Sequence, residues 1–210
     1  RGWQYLAVTE HSRRLSIAHG LDANRLLRQL DEIDRLNDEL QSLTLLKGIE
    51  VDILADGTLD MPDTLLARLD IVVGAVHSHF NLPVQQQTQR IQRAMDSRYF
   101  TILAHPTGRL LQEREGYPLD IEAIIEHARQ RGCFLESNAQ PQRLDLNDHY
   151  CRLAKAQGVL VSIASDAHRS SDFDLLEYGI GQARRGWLEP ADVLNTRSLA
   201  QLLRLMHQAR

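Results

Sequence analysis

Cysteine is scarce. The 210 residues hold two, Cys133 and Cys151, too few for a disulfide framework, and both fall in segments that read as packing positions: one opens an apolar strand, the other sits in a helix. No apolar run is long enough to cross a bilayer and no signal peptide is visible, so no membrane partner is expected and a cytoplasmic location is the default. Excess positive charge is missing too. The net charge is −4 and the pI about 6.1, so no basic face announces tight nucleic-acid binding by itself. No Gly-rich phosphate loop follows any strand, which counts against a dinucleotide fold.

What is present is an ordinary globular composition, 43% hydrophobic and 25% charged, enough for one domain with a real core. Apolar runs and helical stripes alternate. Tyr5 to Val8 reads as a strand. Asp22 caps a helix to about Leu43, with Leu26, Leu27, Leu30, Ile33, Leu36 and Leu40 on one face. Further strands are expected at Leu43–Ile53, Asp70–Val76, Phe100–Ala104, Cys133–Glu136 and Val159–Ala164. Between them, helices start at Thr64, Pro83, Asp120 and Asn147. Helical sequence resumes over Phe173–Arg185, at Pro190, and after Thr196-Arg197-Ser198. Strand–helix alternation at this spacing predicts a parallel sheet, and six strands suit a (β/α) barrel better than an open doubly wound sheet. The opening Arg1-Gly2 turns directly into a strand with no Met, so the expectation is a chain incomplete at its amino terminus.

Nine histidines are many for this length, and their placement matters more than their number. His11, Glu50, His77, His105, Asp166 and His168 stand at five successive strand ends. In a barrel such positions converge on one rim, where function lies. Imidazole plus carboxylate with no thiolate favours zinc, manganese or iron over calcium or magnesium. Six ligands exceed one four-coordinate zinc, so at least two ions are expected, with Glu50 as the bridging carboxylate. Two neighbouring cations suit hydrolysis of a phosphate ester. Asp166 can also be read as a helix cap, and His79 as a ligand or as a substrate contact. Arg143, after the fifth strand, could grip a phosphate bidentately or be a solvated loop residue. Asn138 follows the same strand, and Arg109 and Arg114 are weaker versions of the Arg143 idea. Glu10 and Asp52 read as supporting or surface carboxylates, His19 as a loop residue, and His127, His149 and His207 as ordinary helix residues.

The phrases Val8-Thr9-Glu10-His11-Ser12, Gly48-Ile49-Glu50-Val51-Asp52, Val76-His77-Ser78, Ala104-His105-Pro106 and Ser165-Asp166-Ala167-His168 together resemble the polymerase-and-histidinol-phosphatase (PHP) domain family, over nearly the whole chain. The stretch from Leu135 to Leu146 looks most like the PHP domain joined behind bacterial and archaeal family X DNA polymerases. The resemblance implies a distorted seven-stranded (β/α)7 TIM-like barrel of class α/β, one domain over residues 1–210. It also implies a site of two or three zinc or manganese ions. His11 and His168 would share one ion, while Glu50 bridges the others, with His77 and His105 on one and Asp166 on the last. Glu50, His77 and Asp166 would be the residues hydrolysis cannot do without, and Arg143, Asn138 and His79 would contact substrate. The family's first motif, a His-x-His pair on the first strand followed by an Asp, is not among these residues. The first strand and helix are therefore expected to be missing, leaving an open barrel with weak metal binding and little activity unless a longer chain supplies them.

The activity the resemblance implies is metal-dependent phosphoester hydrolysis at DNA 3′ ends, 3′-to-5′ exonuclease in type, with polymerase modules upstream in the same chain. The competing readings are a small-molecule phosphatase of the histidinol-phosphatase type and a non-catalytic module that supports a polymerase. An amidohydrolase-type barrel is more distant, because no lysine stands where such a barrel carries its bridging residue.

Overall fold

A computed structural model describes residues 2–13 and 20–208; the expectation for His19 lies outside these. Among the described residues six strands form one parallel sheet in sequence order. They are β1 (Tyr5–Val8), β2 (Thr44–Asp52), β3 (Ile71–Ala75), β4 (Ile102–Leu103), β5 (Phe134–Asn138) and β6 (Val161–Ala164). The helices are α1 (Ala23–Glu39), α2 (Asp63–Leu66), α3 (Val84–Met95), α4 (Ile121–Arg131), α5 (Asp148–Ala156), α6 (Leu176–Arg185) and α7 (Leu199–Gln208). The sheet curls into a half-barrel, which is consistent with the expected distorted TIM-like barrel. Its six strands are those read in the sequence.

The helix starts follow from local chemistry. Asp22, Asp120 and Asn147 each accept a hydrogen bond from the backbone N–H three residues on, at 2.9, 3.0 and 2.8 Å, satisfying donors the first turn would leave bare. Gly132, at φ 69°, ends α4 in the left-handed region that an L side chain resists.

Among the boundaries that differ from expectation, two have a clear local cause. α1 ends at Glu39 rather than near Leu43, because Asn37 turns back and pairs with both the N–H and the carbonyl of Leu45 (2.7 and 2.9 Å). That clasp pulls the chain into β2 before a further turn can form. The helix expected from Phe173 begins at Leu176, after a 3₁₀ segment at Ser170–Leu175 whose Asp172 accepts the backbone N–H groups of His168 and Arg169.

Strand alternation sorts side chains to two faces. On the outer face Ile49, Val51 and Val72 pack with Leu26 and Leu30 of α1 and with Leu66. Leu103 and Leu135 pack with Ile91, Ile124 and Ile125 of α3 and α4. On the inner face Leu46, Ile71, Val73, Ile102 and Phe134 pack against Leu202 and Met206 of α7. Further along that inner face, toward the carboxyl ends of the strands, the apolar residues give way to Glu50, Asp52, Glu136 and Asn138, all buried. Apolar filling at one end and acids at the other is the division of labour of a barrel with its site on the carboxyl rim.

Candidate metal centre

Each ligand candidate is delivered by a strand end. β1 continues its pairing past Val8: Glu50 donates its N–H to Glu10 and Ser12 donates to Glu50, at 2.9 and 2.8 Å, setting His11 beside Glu50. β3 ends two residues before His77, and β4 two before His105. One donor atom each from His11, Glu50 and His77 lies within 4.8 Å of the others. Glu50 Oε1 is 3.2 Å from His77 Nε2, 3.4 Å from His105 Nε2 and 3.8 Å from His11 Nδ1.

These atoms crowd together without pairing. Despite the short distances, Glu50 Oε1 has no hydrogen-bond partner of proper geometry, and neither have His11 Nδ1 or His105 Nδ1, all of them buried. Orphaned buried polar atoms are costly. Four converging donors from four strand ends, three imidazoles and one carboxylate, are a donor set that suits a divalent cation.

The electrostatics agree. Burial works to raise the Glu50 carboxyl, yet the surrounding imidazoles of His105, His77 and His11 outweigh it and hold the group well below the carboxylate range. Burial works to lower His77, but Asp52 and Glu50 more than compensate, and it rises to about 9. Asp52 Oδ1 takes the Nδ1 side of His77 at 2.5 Å. That leaves Nε2 facing Glu50.

Asp166 and His168 form a second group on the same rim. Asp166 adopts φ 48°, and its Oδ2 accepts from Asn138 Nδ2 at 3.0 Å, with Arg143 Nε at 3.9 Å. The His168 ring is mostly exposed and lies 6.0 Å from that of His11, linking the two groups. Asn138 is fully engaged, since its Oδ1 also accepts from Gln140 N at 3.0 Å. Arg143 is partly exposed. Arg109, by contrast, spends its guanidinium on the carbonyls of Arg143 and Leu144 and serves the loop. His79 does not join the cluster. It is exposed in the loop after His77, at φ 56°.

Two acids escaped the sequence reading. Glu136, buried on β5, accepts the backbone N–H of His105 at 2.5 Å. Burial, reinforced by the charges of Asp166 and Glu50, pushes its carboxyl well above the usual range. Asp145, also buried, accepts the N–H groups of Thr107 and Gly108 at 3.0 and 2.9 Å, and burial raises it as well. A carboxylate at the inward position of an otherwise apolar strand was the visible signal for Glu136. Asp145 gave none, lying in a polar loop.

No family model matches the chain. It is 47% identical over 199 residues, 95% of its length, to the DNA polymerase/3′-5′ exonuclease PolX of Bacillus subtilis, of which it spans 35%. It is 28% identical over 207 residues to a probable phosphatase of Thermoanaerobacter sp., covering 93% of this chain and 79% of that protein. A probable phosphatase of Syntrophotalea carbinolica is 25% identical over 205 residues, 93% of this chain and 80% of the other. The chain thus matches about a third of the polymerase relative and most of the phosphatases, and these likenesses support a PHP-type domain.

Proposed function

We propose that this chain is a metal-dependent phosphoesterase acting on phosphodiesters or phosphomonoesters at DNA 3′ ends, 3′-to-5′ exonuclease in type, as a PHP domain of residues 1–210 working beside polymerase modules. The observation that carries the reading is the convergence of ring nitrogens of His11, His77 and His105 on Glu50 Oε1 at the carboxyl rim, where Glu50 Oε1 and His11 Nδ1 are buried without a hydrogen-bond partner. The 47% identity to a polymerase and exonuclease supports the substrate class.

The donor set fits zinc or manganese, two or three ions, which His11, Glu50, His77, His105, Asp166 and His168 would hold. Such ions supply Lewis-acid chemistry, lowering the pKa of a water and neutralising charge on phosphoryl oxygens. The protein's own share is positioning. Glu50 stays ionised between its imidazoles. Asp52 fixes the His77 tautomer by accepting from Nδ1, so Nε2 keeps its lone pair for a ligand bond. Glu136 braces the His105 backbone, and Asn138 aims the Asp166 carboxylate. Arg143 stands where a phosphate oxygen could replace its long contact to Asp166.

A second reading, a small-molecule phosphatase, is favoured by the phosphatase relatives that this chain nearly spans. A purely structural module fits less well, because buried donors left without partners cost stability and serve nothing unless filled.

The test is turnover with added manganese or zinc on a 3′-labelled single-stranded oligonucleotide, p-nitrophenyl phosphate and histidinol phosphate. Stepwise shortening of the strand, abolished in Glu50→Ala and His77→Ala while the folded circular-dichroism spectrum is retained, is the expected result. Phosphate release from the small esters alone gives the second reading. Metal binding with no turnover on any of them removes hydrolysis.

A further inference from the structure

The loop that follows His77 borders a surface cavity of about 480 Å³ lined by His79, Phe80, Asn81, Leu82 and Arg114, within the size range of small-ligand sites. Two site loops build it. His79 to Leu82 directly follow His77. Arg114 reaches it from the loop after His105, anchored by a 2.7 Å hydrogen bond to the Gly108 carbonyl. Phe80 is three residues from His77, at most about 11 Å along the chain. The chain distance is short enough for a ligand larger than one phosphate to reach both the centre and this cavity.

The lining has the composition of a nucleotide seat. The Arg114 guanidinium lies over the Phe80 ring at 4.3 Å, and Phe80 is in turn stacked on Tyr117, with centroids 6.1 Å apart and planes 17° from parallel. Arg114 is solvent-exposed, as are His79 and Asn81. The outer plane of the guanidinium thus offers a flat cationic platform backed by an aromatic ring, the arrangement on which single-stranded bases stack. His79 is held at φ 56°, a conformation costly for a histidine and concentrated at ligand sites. α3 starts just past Leu82 with no acid in its first turn and no side-chain cap, so its positive end is open to an anion.

We propose that this cavity seats the nucleotide neighbouring the scissile phosphodiester of a single-stranded 3′ end. Its base lies on Arg114, and its phosphate is within reach of His79 and the start of α3. This rests on the phosphoesterase reading above and adds the polymer specificity. A small ester fills the cation centre and leaves the cavity empty; a polynucleotide fills both.

Two measurements test it on the whole protein with manganese. Binding of a fluorescent short oligodeoxythymidine is read by anisotropy, independently of cleavage, and turnover is read on the oligonucleotide and on p-nitrophenyl phosphate. Arg114→Gln and His79→Ala are expected to weaken oligonucleotide binding about tenfold each and to raise the oligonucleotide KM to match. Turnover of p-nitrophenyl phosphate by Arg114→Gln should stay within about twofold. Phe80→Leu, which keeps the packing on Tyr117 but removes the ring, gives a smaller loss of the same sign. Oligonucleotide binding unchanged in Arg114→Gln and His79→Ala, or absent from the unsubstituted protein, overturns the proposal, as does an equal loss on both substrates. Binding that the substitutions weaken, without any turnover, sustains the seat and sinks the hydrolase reading instead.

Discussion

Asp52 Oδ1 sits 2.5 Å from His77 Nδ1, and His77 Nε2 sits 3.2 Å from Glu50 Oε1. One carboxylate grips the back of the imidazole while its front faces the other. Asp52 itself is buried and well held: its N–H donates to Asp60 and lies 3.2 Å from the Ser12 hydroxyl, which in turn donates to Asp60. Asp52→Asn keeps the shape and removes the charge that fixes the tautomer. The expected result is roughly tenfold weaker manganese or zinc binding by titration calorimetry, by a protein that still unfolds cooperatively in a metal-free thermal melt. Undiminished affinity would show that His77 is oriented by something else.

The same pair sets a pH dependence. His77 is raised to about 9 from an ordinary value of about 6.5. In the metal-free fold its proton therefore contributes stability that is fully present below about pH 6.5 and is lost as the pH climbs through about 9. A cation requires the neutral ring. Metal affinity is then expected to climb by up to about tenfold per pH unit between about 6.5 and 8.5, one proton being released on binding. Calorimetry in buffers of different ionisation enthalpy counts that proton directly, and no released proton at about pH 7.5 would contradict the assignment.

Glu136 gives the same sign of pH dependence from the opposite preference, since the fold favours its neutral form. Its folded carboxyl is raised by burial and by the neighbouring charges of Asp166 and Glu50, while in the unfolded chain it ionises near pH 4.3. Its contribution is therefore intact below about pH 4.3 and becomes a growing cost as the pH rises above it. Glu136→Gln retains an acceptor for the His105 N–H and removes the titration. Metal-free melts between about pH 5 and 8 in a chelator should show the parent losing stability with rising pH more steeply than the variant. Parallel curves would mean that Glu136 is ionised in the fold.

Much of this was legible in the residues, and the parts that were not have a common cause. β1 and the caps at Asp22, Asp120 and Asn147 lie where apolar periodicity and local hydrogen bonding put them, because both are short-range. The convergence of His11, Glu50, His77 and His105 was legible once the segments were read as parallel strands, since parallel strands in sequence order bring their carboxyl ends to one rim. What the sequence concealed depends on contacts between distant segments. The early end of α1 is set by Asn37 reaching Leu45. The burial of Glu136 is set by β4 and β6 on either side of it. The tie of Asn138 to Asp166 spans 28 residues. An isolated Asn after a strand looks the same whether it binds substrate or aims a carboxylate.

Gly74 shows that a long-range constraint can still be tested simply. It sits in the middle of β3, where a glycine weakens a strand unless something needs the space. Here the Phe100 ring takes it: a Cβ on residue 74 would stand 2.1 Å from Phe100 Cε2, and Phe100 is buried in the outer core with Ile91, Met95 and Cys133. Backbone strain is not the reason, because Gly74 lies in regular parallel pairing with Val51 and Leu103, a conformation alanine accepts. Gly74→Ala is expected to destabilise the fold by about 1–3 kcal/mol in urea unfolding, the cost of overpacking. Phe100→Leu alone should also destabilise, since it empties part of the same space. Combined, the two should cost less than the sum of the singles, because the shorter side chain leaves room for the new methyl. Strict additivity would mean that the ring and the glycine do not share one volume, and the close packing of α3 and α4 onto the strands that carry His77 and His105 would need another explanation.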